Sequence, residues 1–193
     1  KGLGLSGIAA NLWGEKLINT DDQSKYISEF KKNSEFSSDL GIQGVRVDCV
    51  QPPTIHREID YNTAMQRVVN TWKTCCDIAA GNGQYVTWEV EPGFAFNKPS
   101  EIVRMPEEVG HPNFSVLYDT CHAHLCAAVG ARHPGEKETL AGGALELLTR
   151  LGSKIGHVHL IDSDGTLHNN ETSTHAPFGQ GVRCVGGTLK RLY

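Results

Sequence analysis

The stretch Val86-Thr-Trp-Glu-Val-Glu-Pro-Gly93 decides the predicted fold, because it is typical of a short buried strand that stops at a Pro-Gly turn. Side chains of a strand alternate between its two faces, so Thr87, Glu89 and Glu91 are expected on the same face. Burying unpaired carboxylates is costly, and we therefore expect a metal, a base or an arginine to face the two glutamates. A surface hairpin with solvated acids is the alternative.

Four further apolar segments repeat this pattern, and helical segments separate them. The predicted strands are 6–13, 44–50, the stretch that begins at Val86, 114–120 and 155–161. The predicted helices are 20–40, 61–80, 99–109, 123–129 and 137–151. This alternation predicts an α/β fold of the (β/α)8 TIM-barrel type, incomplete, with about five βα units present. A doubly wound open sheet is the alternative, but the sequence lacks its glycine-rich phosphate turn.

Length and terminal sequence predict how the domain is organised. The 193 residues suffice for one domain with a substantial core, so we predict a single TIM-barrel domain over residues 1–193. The sequence does not begin with Met, and its tail at 182–193 is atypical of any element. We therefore expect the chain to be a fragment of a barrel.

Composition limits the partners and the compartment. The formal net charge of -4 argues against a nucleic-acid surface. No stretch approaches the ~20 apolar residues of a membrane span, and no secretory leader is evident. Six cysteines are scattered without a CxxC pair, which favours reduced thiols and a cytoplasmic location over a disulfide framework.

Polar side chains gather where the predicted strands end. These residues are Glu89, Glu91, Asp119, His122, His159 and His175. Carboxylate oxygens mixed with imidazole nitrogens are the ligands of divalent metals of intermediate hardness, such as Mn²⁺, Co²⁺, Mg²⁺ or Zn²⁺. Asp119 could instead cap the next helix, and His122 could be an ordinary loop histidine. Arg46 and Asp48 share a strand face, where an internal ion pair is expected.

Four motifs in this order carry a resemblance to a known family. They are Trp88-Glu-Val-Glu-Pro-Gly-Phe-Ala-Phe96, Leu117-Tyr-Asp-Thr-Cys-His-Ala-His124, His157-Val-His-Leu-Ile-Asp162 and His175-Ala-Pro-Phe-Gly-Gln-Gly181. The chain resembles the xylose isomerase-like TIM barrels from Ser6 to about Gly181. That superfamily includes sugar phosphate isomerases and epimerases, ketose 3-epimerases, hydroxypyruvate isomerase, inosose dehydratase and the apurinic endonucleases.

The resemblance implies a metal site. The family's glutamate, aspartate and histidine ligands match Glu89, Asp119 and His159, and Glu89 would also be the catalytic base. Asp162 would orient His159, as carboxylates often do for metal-bound imidazoles. The implied cofactor is a divalent metal, with Mn²⁺ the first choice and Mg²⁺, Co²⁺ or Zn²⁺ the others.

The resemblance also implies the substrate contacts. His122 and His175 match histidines that contact substrate, although His175 could be an extra ligand, and Glu91 is a further contact. The implied partner is a small-molecule sugar or sugar phosphate, with no nucleic acid and no membrane. A homo-oligomer is left open.

The implied function is isomerisation or epimerisation by proton transfer through a metal-stabilised enediolate. One departure argues for a second reading. The family has a further glutamate on a later strand, and no such residue follows Gly181. The alternative is therefore a catalytically inactive barrel fragment that binds a sugar or partner. An abasic-site endonuclease and an inosose-type dehydratase are weaker alternatives.

Overall fold

Strands and helices alternate along the chain, and a computed structural model describes residues 2–10 and 12–181. The tail predicted to be atypical, 182–193, lies outside these residues. The strands are β1 (Gly7–Ala9), β2 (Gly44–Val47), β3 (Tyr85–Glu89), β4 (Phe114–Asp119), β5 (Ile155–His159), β6 (Asp162–His168) and β7 (Thr172–Ala176). The helices are α1 (Ser24–Asp39), α2 (Tyr61–Gly81), α3 (Pro99–Val109), α4 (Thr120–His124) and α5 (Gly143–Leu151). Short 3-10 turns occupy Pro53–Arg57 and Gly152–Lys154, and a π-helical turn, Leu125–Val129, extends α4.

The first five strands form one parallel sheet in chain order, β1-β2-β3-β4-β5. Parallel neighbours joined by helices are the repeating unit of a TIM barrel. The prediction of an α/β fold with an incomplete (β/α) barrel of about five units is confirmed. Every carboxyl end therefore lies at the same edge of the sheet.

The core lies between the sheet and the helices. Trp72 on α2 is fully buried. Its ring centroid lies 5.6 Å from that of Trp88 on β3 and 5.6 Å from that of Phe114 on β4. Its indole N–H donates to the hydroxyl of Tyr26 on α1, which ties the two helices together. Aromatic pairs at this spacing add to the energy of apolar burial.

Within the described residues, no helix has the length and apolar character needed to cross a bilayer.

Three elements differ from the prediction. No strand is predicted after residue 161, but residues 162–176 form the antiparallel hairpin β6–β7. Residues 169–171 connect its two strands, and Asn169 and Asn170 have φ of 50° and 57°, in the left-handed region that asparagine tolerates better than most residues. Helix α5 begins at Gly143 rather than at Lys137, and α1 at Ser24 rather than at Thr20, whose hydroxyl oxygen and backbone carbonyl accept bonds from Asp22 and Gln23.

Candidate active site

Glu89, Asp119 and His159 meet at the carboxyl edge of the sheet. They are the last residues of β3, β4 and β5, and one ligand atom of each lies within 4.8 Å of the others. Both carboxylates are buried, and the imidazole is half-buried. His159 Nδ1 lies 2.8 Å from Glu89 Oε1 and 3.6 Å from Asp119 Oδ2. The structure thus brings together the three predicted metal ligands.

A bulge in β5 sets the face that its histidines take. Val116 on β4 pairs with Ile155, but the next residue, Leu117, pairs with His157, so Gly156 has no partner across the ladder. If every residue after Ile155 were paired one to one, Asp119 would pair with Val158, and both histidines would point toward the helices. The bulge brings His159 level with Asp119.

Asp119 uses its two oxygens differently. Oδ1 accepts from the backbone N–H groups of Cys121, at 2.8 Å, and His122, at 3.0 Å, and so caps α4. Oδ2 is buried and has no hydrogen-bond partner among the described residues. Burial opposes ionisation, but His159, His122 and the two amides lower the pKa of Asp119 below its ordinary value. An ionised oxygen that accepts no hydrogen bond is a suitable ligand for a cation.

His159 is the most strongly perturbed histidine of the site. The carboxylates of Asp119 and Glu89 beside it raise the pKa of His159 to about 9. The imidazole is therefore protonated at neutral pH in this arrangement, and it must release a proton to ligate a metal through Nδ1.

Arg46 on β2, the strand next to β3, contacts three carboxylates. Its Nε donates to Asp48 Oδ1 at 2.8 Å, which confirms the predicted ion pair between these residues. Nη1 lies 2.5 Å from Glu89 Oε2 in an ion pair that lacks hydrogen-bond geometry, and Nη2 lies 3.3 Å from Glu91 Oε1. Burial opposes the charge, but Asp48 and Glu89 raise the pKa of Arg46.

The charges of this cluster leave room for a divalent cation. The carboxylates of Asp48, Glu89, Glu91 and Asp119 face the two cations Arg46 and protonated His159. Four carboxyl groups therefore share one guanidinium and one imidazole in a mostly buried place, so acidic groups outnumber basic groups. Together with the unpartnered Asp119 oxygen and the mixed oxygen and nitrogen donors, this balance fits a divalent metal held by the three strand-end residues.

A second possible ligand set shares Asp119. His122 at the start of α4 and His175 on β7 each offer an imidazole nitrogen within 4.8 Å of the Asp119 carboxylate. Ser173 Oγ lies 2.9 Å from Nδ1 of His122, which leaves Nε2 directed toward Glu89 Oε1 at 4.0 Å. The hairpin β6–β7 therefore forms one wall of the site.

The remaining predicted residues lie at the rim. Glu91 is buried just beyond β3, where its Oε2 accepts from Thr172 Oγ1 at 2.6 Å. The Asp162 carboxylate accepts from the backbone N–H groups of Ser163, Gly179 and Gly181, so it fastens the glycine-rich turn to the hairpin. Its predicted role in orienting His159 stays a prediction.

Sequence reasoning missed the groups that connect the site. An arginine was one of the groups expected to face Glu89 and Glu91, but Arg46 was not identified as that residue and was predicted to pair with Asp48 alone. Thr172 and Ser173 were missed because the hairpin that carries them was not predicted. The Asn169-Asn170 pair between two polar runs that contain threonine is the turn signal that could have located it.

The family model described as a xylose isomerase-like TIM barrel matches residues 1–190, and the chain belongs to this family. No curated protein sequence matches the chain.

Several solved structures share the fold. The IOLI protein with a zinc atom is similar at 21% identity and a TM-score of 0.73, over 97% of this chain and 62% of its own. A D-tagatose 3-epimerase-like protein matches at 17% and 0.73, over 96% and 65%. A xylose isomerase-like protein from Mycobacterium smegmatis in complex with magnesium matches at 14% and 0.67, over 93% and 59%. The chain spans less than two thirds of each of these structures.

Proposed function

We propose that the chain carries the metal centre of a divalent-metal-dependent isomerase or epimerase that acts on a sugar or sugar phosphate. The observation that supports this most strongly is the convergence of Glu89, Asp119 and His159 within 4.8 Å. Asp119 Oδ2 is buried there and accepts no hydrogen bond from the described residues. Membership of the family and structural neighbours that hold zinc or magnesium support the same proposal.

The side chains suit proton transfer next to a carbonyl group. A divalent cation bound by Glu89, Asp119 and His159 would polarise the carbonyl of a hydroxy-ketone or hydroxy-aldehyde. Glu89 takes the proton from the neighbouring carbon, and the electron pair of that bond forms the enediolate. Arg46 and His159 flank Glu89 within ion-pair distance.

The remaining contacts orient the substrate. His122, whose Nδ1 is fixed by Ser173, presents Nε2 to the site and can hold a hydroxyl group. His175 lies 5.4 Å from His122 between ring centroids, and Glu91 supplies an acceptor on the other side. Return of the proton from Glu89 to the adjacent carbon, with transfer of the hydroxyl proton between the two oxygens, completes isomerisation. Epimerisation needs a second acid on the opposite face of the same carbon, a role that Glu89 does not fill.

Mn²⁺ titration followed by calorimetry tests the metal site. Wild-type protein should bind Mn²⁺, and Glu89→Gln should weaken binding at least tenfold because the neutral amide keeps the shape but not the charge. Glu107→Gln, at an exposed position on α3, is the matched control and should bind like wild type. Unchanged binding in Glu89→Gln would refute the centre.

Proton exchange tests the reaction. A ketohexose incubated with the Mn²⁺-loaded protein in D₂O should gain deuterium at the carbon beside its carbonyl, and Glu89→Gln should not support this gain. Metal and sugar binding without exchange would instead support the binding-only alternative.

A cytoplasmic location is proposed on the five described cysteines, which are all free and buried.

A further inference from the structure

A cavity of about 350 Å³ opens beside the metal ligands at the carboxyl edge of the sheet. Its lining includes Trp13 after β1, Phe94 after β3 and the carboxylate of Glu91. Glu91 is also bound by Arg46, which holds Glu89 as well. Arg46 therefore links Glu91 in the cavity wall to Glu89, the proposed metal ligand.

Two aromatic rings form a corner of this cavity. Trp13 and Phe94 lie 5.7 Å apart between ring centroids, with an interplanar angle of 89°. Trp13 is 55% exposed, although its indole N–H donates to the buried Asp48 at 2.8 Å. An exposed indole held by a buried acceptor is a fixed apolar surface rather than a mobile side chain. Nothing among the described residues covers its exposed part.

The opposite wall of the cavity is polar and held by backbone contact. Thr172 on the hairpin donates to Glu91, and the Glu171 carbonyl approaches Gly93 so closely that a β-carbon there would lie 2.8 Å from it. Only glycine admits this approach without displacing the hairpin. One wall is therefore aromatic and the other is lined by hydroxyl and carboxylate oxygens.

The charges of the cavity disfavour an anionic ligand. Arg132 is the one cationic side chain among the described residues that line it, and its Nη1 already donates to the backbone carbonyl of Asn170. Glu91 and Glu171 place two carboxylates on the same walls. A phosphate dianion would meet more negative than positive charge here, whereas neutral hydroxyl groups can donate to both carboxylates.

We propose that Trp13 and Phe94 form a subsite for the apolar face of a neutral, unphosphorylated polyol, whose hydroxyl groups are bound by Glu91 and Thr172. This inference rests on the proposed function and narrows its substrate class. A sugar ring suits such a site because its C–H face packs on an aromatic ring while its hydroxyl groups bind oxygens at the rim.

Calorimetry of the Mn²⁺-loaded protein with D-fructose, myo-inositol and D-fructose 6-phosphate tests this subsite. At least one neutral polyol should bind, and the phosphate ester should bind no tighter. Phe94→Leu and Trp13→Leu should each weaken binding about three- to tenfold, because they remove an aromatic face. Phe36→Leu replaces an exposed aromatic residue on α1 and should have no effect. Phe94→Leu keeps Trp13 and its hydrogen bond to Asp48. This variant therefore distinguishes the loss of an aromatic contact from a disturbance of the residues around Asp48.

Acrylamide quenching gives an independent measurement, because Trp72 and Trp88 are buried and Trp13 is exposed. A bound polyol should protect the wild-type protein from quenching. Protection and a loss of affinity in Phe94→Leu would support the subsite even if no Mn²⁺ binds and no deuterium is gained, which would refute only the proposed function. Mn²⁺ binding without protection by either neutral probe would overturn the subsite and leave the metal centre intact. Tenfold tighter binding of the phosphate ester would also overturn it.

Discussion

Arg46 Nη1 lies 2.5 Å from Glu89 Oε2, so a buried carboxylate of the proposed metal centre is already paired with a cation of the chain. The same guanidinium contacts Asp48 and Glu91. Arg46 thus lowers the repulsion among three acids and leaves the free oxygen of Asp119 for a metal.

Replacement of Arg46 should destabilise the protein in the presence of a chelator. Arg46→Met leaves three carboxylates without their cation, and removal of one partner from a buried ion pair costs about 3–5 kcal/mol. Chemical unfolding in EDTA measures this loss. Arg104→Met removes an exposed partner of Glu108 and should cost less than about 1 kcal/mol.

Mn²⁺ should restore part of that stability, because the variant has one more uncompensated negative charge than the wild type. The rise in melting temperature on adding Mn²⁺ should therefore be larger for Arg46→Met. An equal rise in the two proteins would show that Arg46 does not act on the metal ligands.

Substitutions of Asp119 should separate helix capping from metal binding. Asp119→Asn keeps an oxygen for the amides of Cys121 and His122, so it should destabilise the protein less than Asp119→Ala does. Its Mn²⁺ affinity should fall at least tenfold, because the charge on Oδ2 is lost. Asp119→Ala should lose both properties. Full Mn²⁺ affinity in Asp119→Asn, measured by calorimetry, would contradict the ligand role.

The stability of the protein in EDTA should fall as pH rises through the pKa of His159. Asp119 and Glu89 raise this pKa from 6.5 to about 9, so the protonated imidazole favours the folded state. The contribution is complete below about pH 6.5 and is lost as pH rises to about 9. His159→Gln should flatten this part of the curve, which urea unfolding at pH 6 to 9.5 can follow. A wild-type curve as flat as that of the variant would argue against these ion pairs.

Gly156 should not tolerate a side chain. A β-carbon at this bulge would overlap the side chain of Ser115, with 2.6 Å to its β-carbon. Gly156→Ala should therefore cost about 1–3 kcal/mol, the usual range for overpacking. Adding Ser115→Gly should recover part of this loss, and a double-mutant cycle of unfolding free energies measures the coupling. Independent effects of the two substitutions would contradict the packing explanation.

Much of the fold could be predicted because each strand is an apolar run that ends in polar residues. Carboxyl ends of parallel strands share one edge, so Glu89, Asp119 and His159 could be placed together without coordinates. The bulge at Gly156 was not predicted, because pairing register depends on contacts between strands that are distant in sequence. The reach of Arg46 across the sheet depends equally on tertiary packing.

The hairpin β6–β7 was missed for another reason. Its strands are polar because they lie over the site rather than in the core, so they lack the apolar alternation that predicts a strand. Predicted contacts of His122 and His175 named side chains near this wall, but not Ser173 and Thr172 that hold it against the sheet.

Asp119 offers one free oxygen to two sets of neighbours, and this sharing affects how metals occupy the site. Oδ1 is committed to α4, so ions seated by Glu89 and His159 or by His122 and His175 would compete for Oδ2. Titration should then saturate at one equivalent. Oxygen-preferring ions such as Mn²⁺ should bind to the ligand set with two carboxylates, Glu89 and Asp119. Zn²⁺ should bind to the ligand set with two imidazoles, His122 and His175. Replacing Mn²⁺ by Zn²⁺ would therefore move the bound positive charge from Glu89 toward the hairpin that carries His175.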